Sequence, residues 1–149
     1  MTHPTPTESG ASMPRTATRL LLGVFLVFAG VGHLLNREEF LAQVPPFLPW
    51  EDAIVYLSGI VEIVLGLALV SGRRRQLVGW VTAAFFVAVF PGNISQLVTG
   101  TDAFGLDSDL ARAVRLLFQP VLVAAALWST GAWRAWRQSR NRRAVSRPG

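Results

Sequence analysis

Six polar side chains lie within long apolar stretches of this chain, and their types are those that bind and protonate a small ligand. They are one histidine, one glutamate, one arginine and three carboxamides: His33, Glu62, Asn93, Gln96, Arg115 and Gln119. Imidazole and carboxyl groups give and take protons, while guanidinium and carboxamide groups donate hydrogen bonds. The set therefore predicts a ligand-binding site that offers both hydrogen-bond donors and a route for protons.

Other kinds of chemistry lack the residues that they need. The chain has no cysteine, which excludes disulfides, thiol relays and cysteine-ligated metals or clusters. Its histidines are His3 and His33, so we expect neither a bis-histidine haem nor a metal site built from protein ligands alone. The sequence shows no nucleophile–base set, phosphate loop or dinucleotide fingerprint, so catalytic residues are unknown and enzymatic activity stays open.

Four apolar segments must position these side chains. Hydrophobic residues make up 51% of the 149 residues and charged residues 15%, whereas soluble domains carry about 25% charge. Four such segments leave too little polar surface for a soluble bundle. We therefore predict an all-α membrane protein, a four-transmembrane-helix bundle with spans at about residues 20–38, 53–70, 77–97 and 111–131. The predicted domains are a disordered N-terminal tail, a transmembrane domain and a basic cytoplasmic tail, at residues 1–18, 19–133 and 134–149.

The distribution of arginine predicts the orientation of these spans. All 14 basic residues are arginines, and the loops and tails on one side of the membrane hold all of them except Arg37, Arg112 and Arg115. Cytoplasmic loops are enriched in basic residues, so both termini are predicted to be cytoplasmic, in the plasma (inner) membrane. The arginines occur in short runs between apolar stretches rather than on one amphipathic face, so no nucleic-acid partner is expected.

In this orientation the six polar residues form one layer in the outer half of the bilayer. Glu62 is nine residues from the outer end of the second span, which is roughly 13 Å at 1.5 Å per residue. By the same rise, Arg115 and Gln119 are roughly 8 Å and 14 Å into the fourth span. The other three residues lie near the outer ends of the first and third spans. Polar groups at such depths usually face the bundle interior or a cavity.

Small residues on two spans support this inward direction. Gly59 and Gly66 are three residues before and four residues after Glu62, so they share its helix face. Gly23 and Gly30 belong to a similar stripe on the first span. Because small residues let helices approach closely, we expect both stripes to face a neighbouring helix.

The sequence alone does not decide which side chains the charged groups contact. An unpaired carboxylate is costly at this depth, so Glu62 is expected to contact Arg115 or His33. Alternatively, Glu62 is a neutral, hydrogen-bonded packing residue, and His33 is a structural residue rather than a ligand. Arg115 can also extend outward to the membrane surface.

The segments AGVGHLL, VPPFLPW, SGIVEIVLGLALV, VFPGNISQL and RLLFQPVLV follow one another in this order. Together they resemble the DoxX-like family of small four-helix membrane proteins over residues 19–128. The resemblance assigns family positions to Gly32 and His33, Glu62, Pro91 and Asn93, and Arg115 and Gln119; Gly92 stands where alanine is expected. Members of that family have been linked to redox complexes. One is a subunit of thiosulfate:quinone oxidoreductase, and another is the membrane partner of a superoxide dismutase and a sulfurtransferase.

Three functions are compatible with these observations. In the first, the chain is a subunit of a redox-associated membrane complex, and its polar layer binds a quinone-like ligand between His33, Glu62, Asn93 and Arg115. In the second, it is a structural or docking subunit whose cationic tail recruits a cytoplasmic partner or touches anionic lipid. In the third, a homo-oligomer transports protons or cations at Glu62. The expected partners are the lipid bilayer and membrane or cytoplasmic redox proteins.

Overall fold

The computed structural model describes residues 13–103, 105 and 107–145, and every regular element in this part of the chain is a helix. In chain order the helices are α1 (Met13–Leu35), α2 (Arg37–Leu41), α3 (Glu51–Ser71), α4 (Arg75–Thr99), α5 (Asp109–Ser129) and α6 (Ala132–Val145). The helices α1, α3, α4 and α5 are each long and apolar enough to cross a membrane. The predicted all-helical fold with four spans is confirmed, and it indicates a multi-pass membrane protein.

The surface of these four helices has the composition expected beside lipid. Large apolar side chains such as Leu21, Phe28 and Val98 are more than 70% exposed. The buried core is small and lies between the helices, where it includes Leu26 and Phe86. An apolar exterior of this extent would associate in water, whereas hydrocarbon accommodates it.

Contacts between helix ends show which ends lie together in the bundle. The guanidinium group of Arg19, in the second turn of α1, donates to the carbonyl oxygen of Leu69 at the end of α3. Near the start of α4, Gly79 packs against Thr130, which follows α5. Arg15 lies over the ring of Trp128 near the end of α5, 5.5 Å from its centroid. One end of the bundle, hereafter the arginine end, therefore contains the start of α1, the end of α3, the start of α4 and the end of α5.

The glycine stripes on α1 and α3 pack against each other, whereas the sequence predicts only that each stripe faces a neighbouring helix. A Cβ atom added to Gly30 would lie 2.5 Å from the carbonyl oxygen of Gly59. A Cβ atom added to Gly66 would lie 2.6 Å from the carbonyl oxygen of Gly23. Side chains at these positions would push the two backbones apart, so the close approach of α1 and α3 requires glycine.

The first helix differs from its predicted limits at both ends. It begins at Met13, so residues 13–18 are helical rather than part of a disordered tail. The hydrogen bonds of Arg19 to the end of α3 hold this first part of the helix against the bundle. The predicted extension of the first span to residue 38 is wrong, because Asn36 leaves the helical conformation and α2 is a separate helix. Residues 1–12 of the predicted N-terminal tail and residues 146–149 of the basic tail lie outside the described residues.

The described acidic residues, apart from Glu62 within α3, lie in the loops and helix starts at the other end of the bundle. Arg37 of α2 forms an ion pair with Asp52 in the first turn of α3. The buried Arg112 of α5 binds Asp102 and Asp109, and so fixes the loop between α4 and α5. The Ser108 hydroxyl accepts a hydrogen bond from the Ala111 amide and caps the start of α5.

Candidate functional site

A cleft of about 1010 Å³ lies between the α1–α3 pair and the α4–α5 pair. It belongs to the half of the bundle that is far from the arginine end, and α2 and the loop after it cover part of it. Most of its lining residues are apolar, and they include six phenylalanines: Phe25, Phe28, Phe40, Phe47, Phe86 and Phe118. The cleft is therefore mainly apolar, with a few polar groups at defined positions, as is usual for sites that bind small molecules.

His33 lies on the α1–α3 wall and is held from three sides. Its Nδ1 atom lies 2.9 Å from the carbonyl oxygen of Val55 and 3.1 Å from the hydroxyl of Ser58. The ring of Phe40 lies over the imidazole, with 3.6 Å between the ring centroids. A carbonyl oxygen can only accept, so the contact with Val55 assigns a hydrogen to Nδ1. Nε2 then becomes the atom that is available for proton exchange.

Glu62 faces this second nitrogen. Its Oε2 atom lies 3.4 Å from His33 Nε2, and the two side chains are 13% and 10% exposed. Oε2 is buried and makes no hydrogen bond to any described residue, so its nearest polar partner is the His33 ring nitrogen. The structure thus places Glu62 beside His33, one of the two partners that the sequence left open. With Nδ1 protonated, an electrically neutral pair holds one proton at this contact, either on Oε2 or on Nε2.

Two carboxamides form part of the opposite wall. Asn93 of α4 donates a hydrogen bond from Nδ2 to Oε1 of Gln119 on α5, at 2.9 Å. Gln119 in turn donates from Nε2 to the carbonyl oxygen of Phe86, at 2.6 Å. These bonds join α4 to α5 beside the cleft. They also fix the orientation of both amide groups.

Arg115 lies on the same wall, nearer the acidic loops. Its Nη1 atom donates to Oε1 of Gln96 at 2.9 Å, and its Nη2 atom donates to the side-chain oxygen of Gln43. Gln96 is almost completely buried and also donates to the carbonyl oxygen of Thr101. The two carboxamides hold the guanidinium group in place, and Arg115 itself lines the cleft.

The structure brings five of the six predicted residues to this one cleft. His33, Glu62, Asn93, Arg115 and Gln119 line it, whereas Gln96 lies behind Arg115 and supports it from the side.

Two further residues of the site were not predicted. Ser58 lies four residues before Glu62, so helical spacing alone would place it on the same face of α3. Gln43 lies in a proline-rich loop without periodicity, and its contact with Arg115 spans 72 residues of sequence. No local pattern indicates a contact of that kind.

A protein-family model described as a domain of unknown function, DUF8561, matches residues 22–130 of the chain. The protein belongs to the DUF8561 family. The matched segment contains the whole polar cleft and ends before α6, so the cleft lies within the DUF8561 domain. No curated protein and no solved structure matches the chain.

Proposed function

We propose that this DUF8561 protein is a subunit of a redox-associated membrane complex and that its polar cleft binds a quinone-like ligand. The single observation that carries the proposal is the position of the His33–Glu62 pair on the wall of a mainly apolar cleft inside a membrane bundle. The resemblance to DoxX-like proteins points in the same direction, because members of that family are linked to quinone-dependent and other redox complexes.

The two polar walls suit a head group with a carbonyl oxygen on each side. On one wall, the His33–Glu62 pair can donate a hydrogen bond through its shared proton. On the other, Arg115 and Asn93 supply N–H donors. A quinone accepts hydrogen bonds at two opposite oxygens, so it can use donors on both walls at once.

The apolar part of the cleft suits the ring and the isoprenoid chain of a quinone. Aromatic side chains can stack against a quinone ring, and Phe40 already lies over His33 in this way. The cleft is bounded by spans whose outer surfaces are apolar, so an isoprenoid chain can extend from it into lipid. Burial of that chain contributes roughly 0.8 kcal/mol for each CH₂ group.

Reduction of a quinone to a quinol consumes two electrons and two protons, and the cleft can take part in the proton transfer. When a quinone oxygen gains a proton from the His33–Glu62 pair, the pair is left with one proton fewer. It must then be reprotonated from the solvent at the acidic loops. In this proposal the two electrons come from a redox partner in the complex.

Photoaffinity labelling tests where the ligand binds. An azido-substituted short-chain quinone should label peptides from the cleft, such as those that contain Phe40 and Phe118, and excess unlabelled quinone should remove the label. Ala88 lines the cleft on α4, and Ala84, one turn nearer the arginine end, does not. We expect Ala88→Trp to fill the cleft and abolish the competed label, and Ala84→Trp to retain it.

A different labelling pattern would argue against the proposal. A second groove, about 600 Å³ in volume, lies between α4 and α5 beside Pro120 and Trp133, and it has almost no polar lining. Quinone that merely partitions into apolar surface should label this groove as strongly as the cleft, without competition. Equal labelling of the two sites, unchanged by Ala88→Trp, would exclude a specific site in the cleft.

The proposal includes the orientation in the plasma (inner) membrane with both termini in the cytoplasm, because it places the cleft in the outer half of the bilayer. The absence of native cysteine makes the orientation directly measurable with single cysteines. A membrane-impermeant maleimide should label Asp107→Cys in intact cells, and Ser139→Cys only after permeabilisation. Labelling of Ser139→Cys but not of Asp107→Cys in intact cells would show that the protein has the opposite orientation.

A further inference from the structure

The last helix of the chain is a separate element rather than a continuation of α5. The chain turns at Gly131, which has a φ of 73°. The residue after the turn, Ala132, is completely buried, and the Thr130 hydroxyl donates to the carbonyl oxygen of Ala126. The start of α6 is therefore anchored at the arginine end, and α6 contacts both α4 and α5. From residue 133 to residue 144 the helix is exposed, apart from the half-buried Ala135.

The exposed part of α6 is strongly cationic. Five of its 14 residues are arginines and none is acidic: Arg134, Arg137, Arg140, Arg142 and Arg143. Further arginines lie at the same end of the bundle, namely Arg15 and Arg19 of α1 and the Arg73–Arg75 run before and at the start of α4. The described acidic residues, apart from Glu62 within α3, lie in the loops and helix starts at the opposite end. Electrostatics therefore favours a negatively charged partner for this surface.

Tryptophan side chains beside these arginines indicate the kind of partner. Trp133 and Trp136 stack with 4.9 Å between ring centroids, and both stay partly exposed. Arg140 lies over the Trp136 ring, 5.0 Å from its centroid. Tryptophan is enriched where a membrane protein meets the lipid headgroups, and arginine beside it binds phosphate oxygens. Trp80 and Trp128, partly exposed at the same end, extend this aromatic belt.

We propose that α6 is an interfacial helix whose arginines bind the headgroups of acidic phospholipids. Charge complementarity calls for an anionic occupant, and the tryptophan belt favours lipid headgroups over a soluble acidic protein. Clusters of four to eight basic residues next to a membrane span are characteristic of sites for acidic lipids. The site lies outside the segment that matches the DUF8561 family and is independent of the polar cleft.

Native mass spectrometry of the full-length protein in mild detergent tests this site. With equal amounts of phosphatidylglycerol and phosphatidylcholine added, we expect the protein to retain phosphatidylglycerol at least about tenfold better. Replacing all five α6 arginines with glutamine should remove most of this preference. Because these side chains are exposed, the thermal stability of the variant should change little.

A second variant tests whether lipid binding depends on α6 itself or only on the overall positive charge of the arginine end. Replacing Arg73, Arg74 and Arg75 with glutamine removes three exposed arginines but leaves α6 intact. This control should keep most of the preference for phosphatidylglycerol, and added salt should weaken the preference in every form that has it. Equal retention of the two lipids by the wild-type protein would overturn the proposal. So would a preference that survives in the α6 variant.

Discussion

Substitution of Gly30 by alanine is expected to destabilise the bundle by about 2–3 kcal/mol, as for other overpacked contacts. The added Cβ atom would lie 2.5 Å from the backbone carbonyl oxygen of Gly59 and 2.7 Å from a side-chain carbon of Ile63. A backbone oxygen cannot rotate away as the end of a side chain can, so α1 and α3 must separate. Thermal unfolding in detergent micelles, followed by circular dichroism, measures the loss.

Gly32, two residues further along α1, provides a matched control. A Cβ atom at this position would meet only the ring of Phe40, at 3.4 Å, which is an ordinary contact. Alanine is also the better helix former by up to about 1 kcal/mol. Gly32→Ala should therefore be neutral or slightly stabilising. If the two variants unfolded at the same temperature, this would contradict the close packing of α1 on α3.

The sequence predicts the four spans and the two helix faces that pack closely, because both depend on periodic local patterns. Hydrocarbon requires about 20 apolar residues in each span, and such a run is recognisable without knowledge of its neighbours. Glycine at intervals of seven residues, as at Gly23 and Gly30 or at Gly59 and Gly66, marks one face of a helix. The structure places these two faces in contact with each other.

Features that depend on contacts distant in sequence were not predictable in the same way. The break at Asn36 falls within a run that composition alone would continue as one helix. The roles of Gln43 and Gln96 depend on where Arg115 points, and this is decided by the packing of α4, α5 and the loop after α2. The pairing of Glu62 with His33 depends on the register of α1 against α3. The glycines allow these helices to pack closely, but they do not specify that register.

Removing either member of the His33–Glu62 pair is expected to weaken quinone binding by about 10-fold to 100-fold. A hydrogen bond to a charged group contributes about 1.5–3 kcal/mol, and 1.4 kcal/mol corresponds to a factor of ten in affinity. His33→Phe keeps an aromatic ring beside Phe40 but removes both nitrogen atoms. Glu62→Leu keeps a similar volume but removes the carboxyl group. These replacements preserve packing, so the loss of affinity reports the hydrogen bonds.

The double variant distinguishes a joint role from two separate ones. If the pair acts as one unit through its shared proton, the second substitution should cost little once the first is present. Two independent contacts would instead give losses that add. Thr82→Val provides the control, because Thr82 is a fully buried polar residue of α4 that does not line the cleft. This variant should bind quinone as the wild-type protein does.

Calorimetric titration of a short-chain quinone into the purified protein, in all five forms, is the most direct test of the polar cleft. We expect saturable binding at one site for the wild type and for Thr82→Val. His33→Phe, Glu62→Leu and the double variant should all be weakened to a similar extent. Binding that never saturates, or that is equally strong in all five forms, would show that the cleft does not hold a quinone head group.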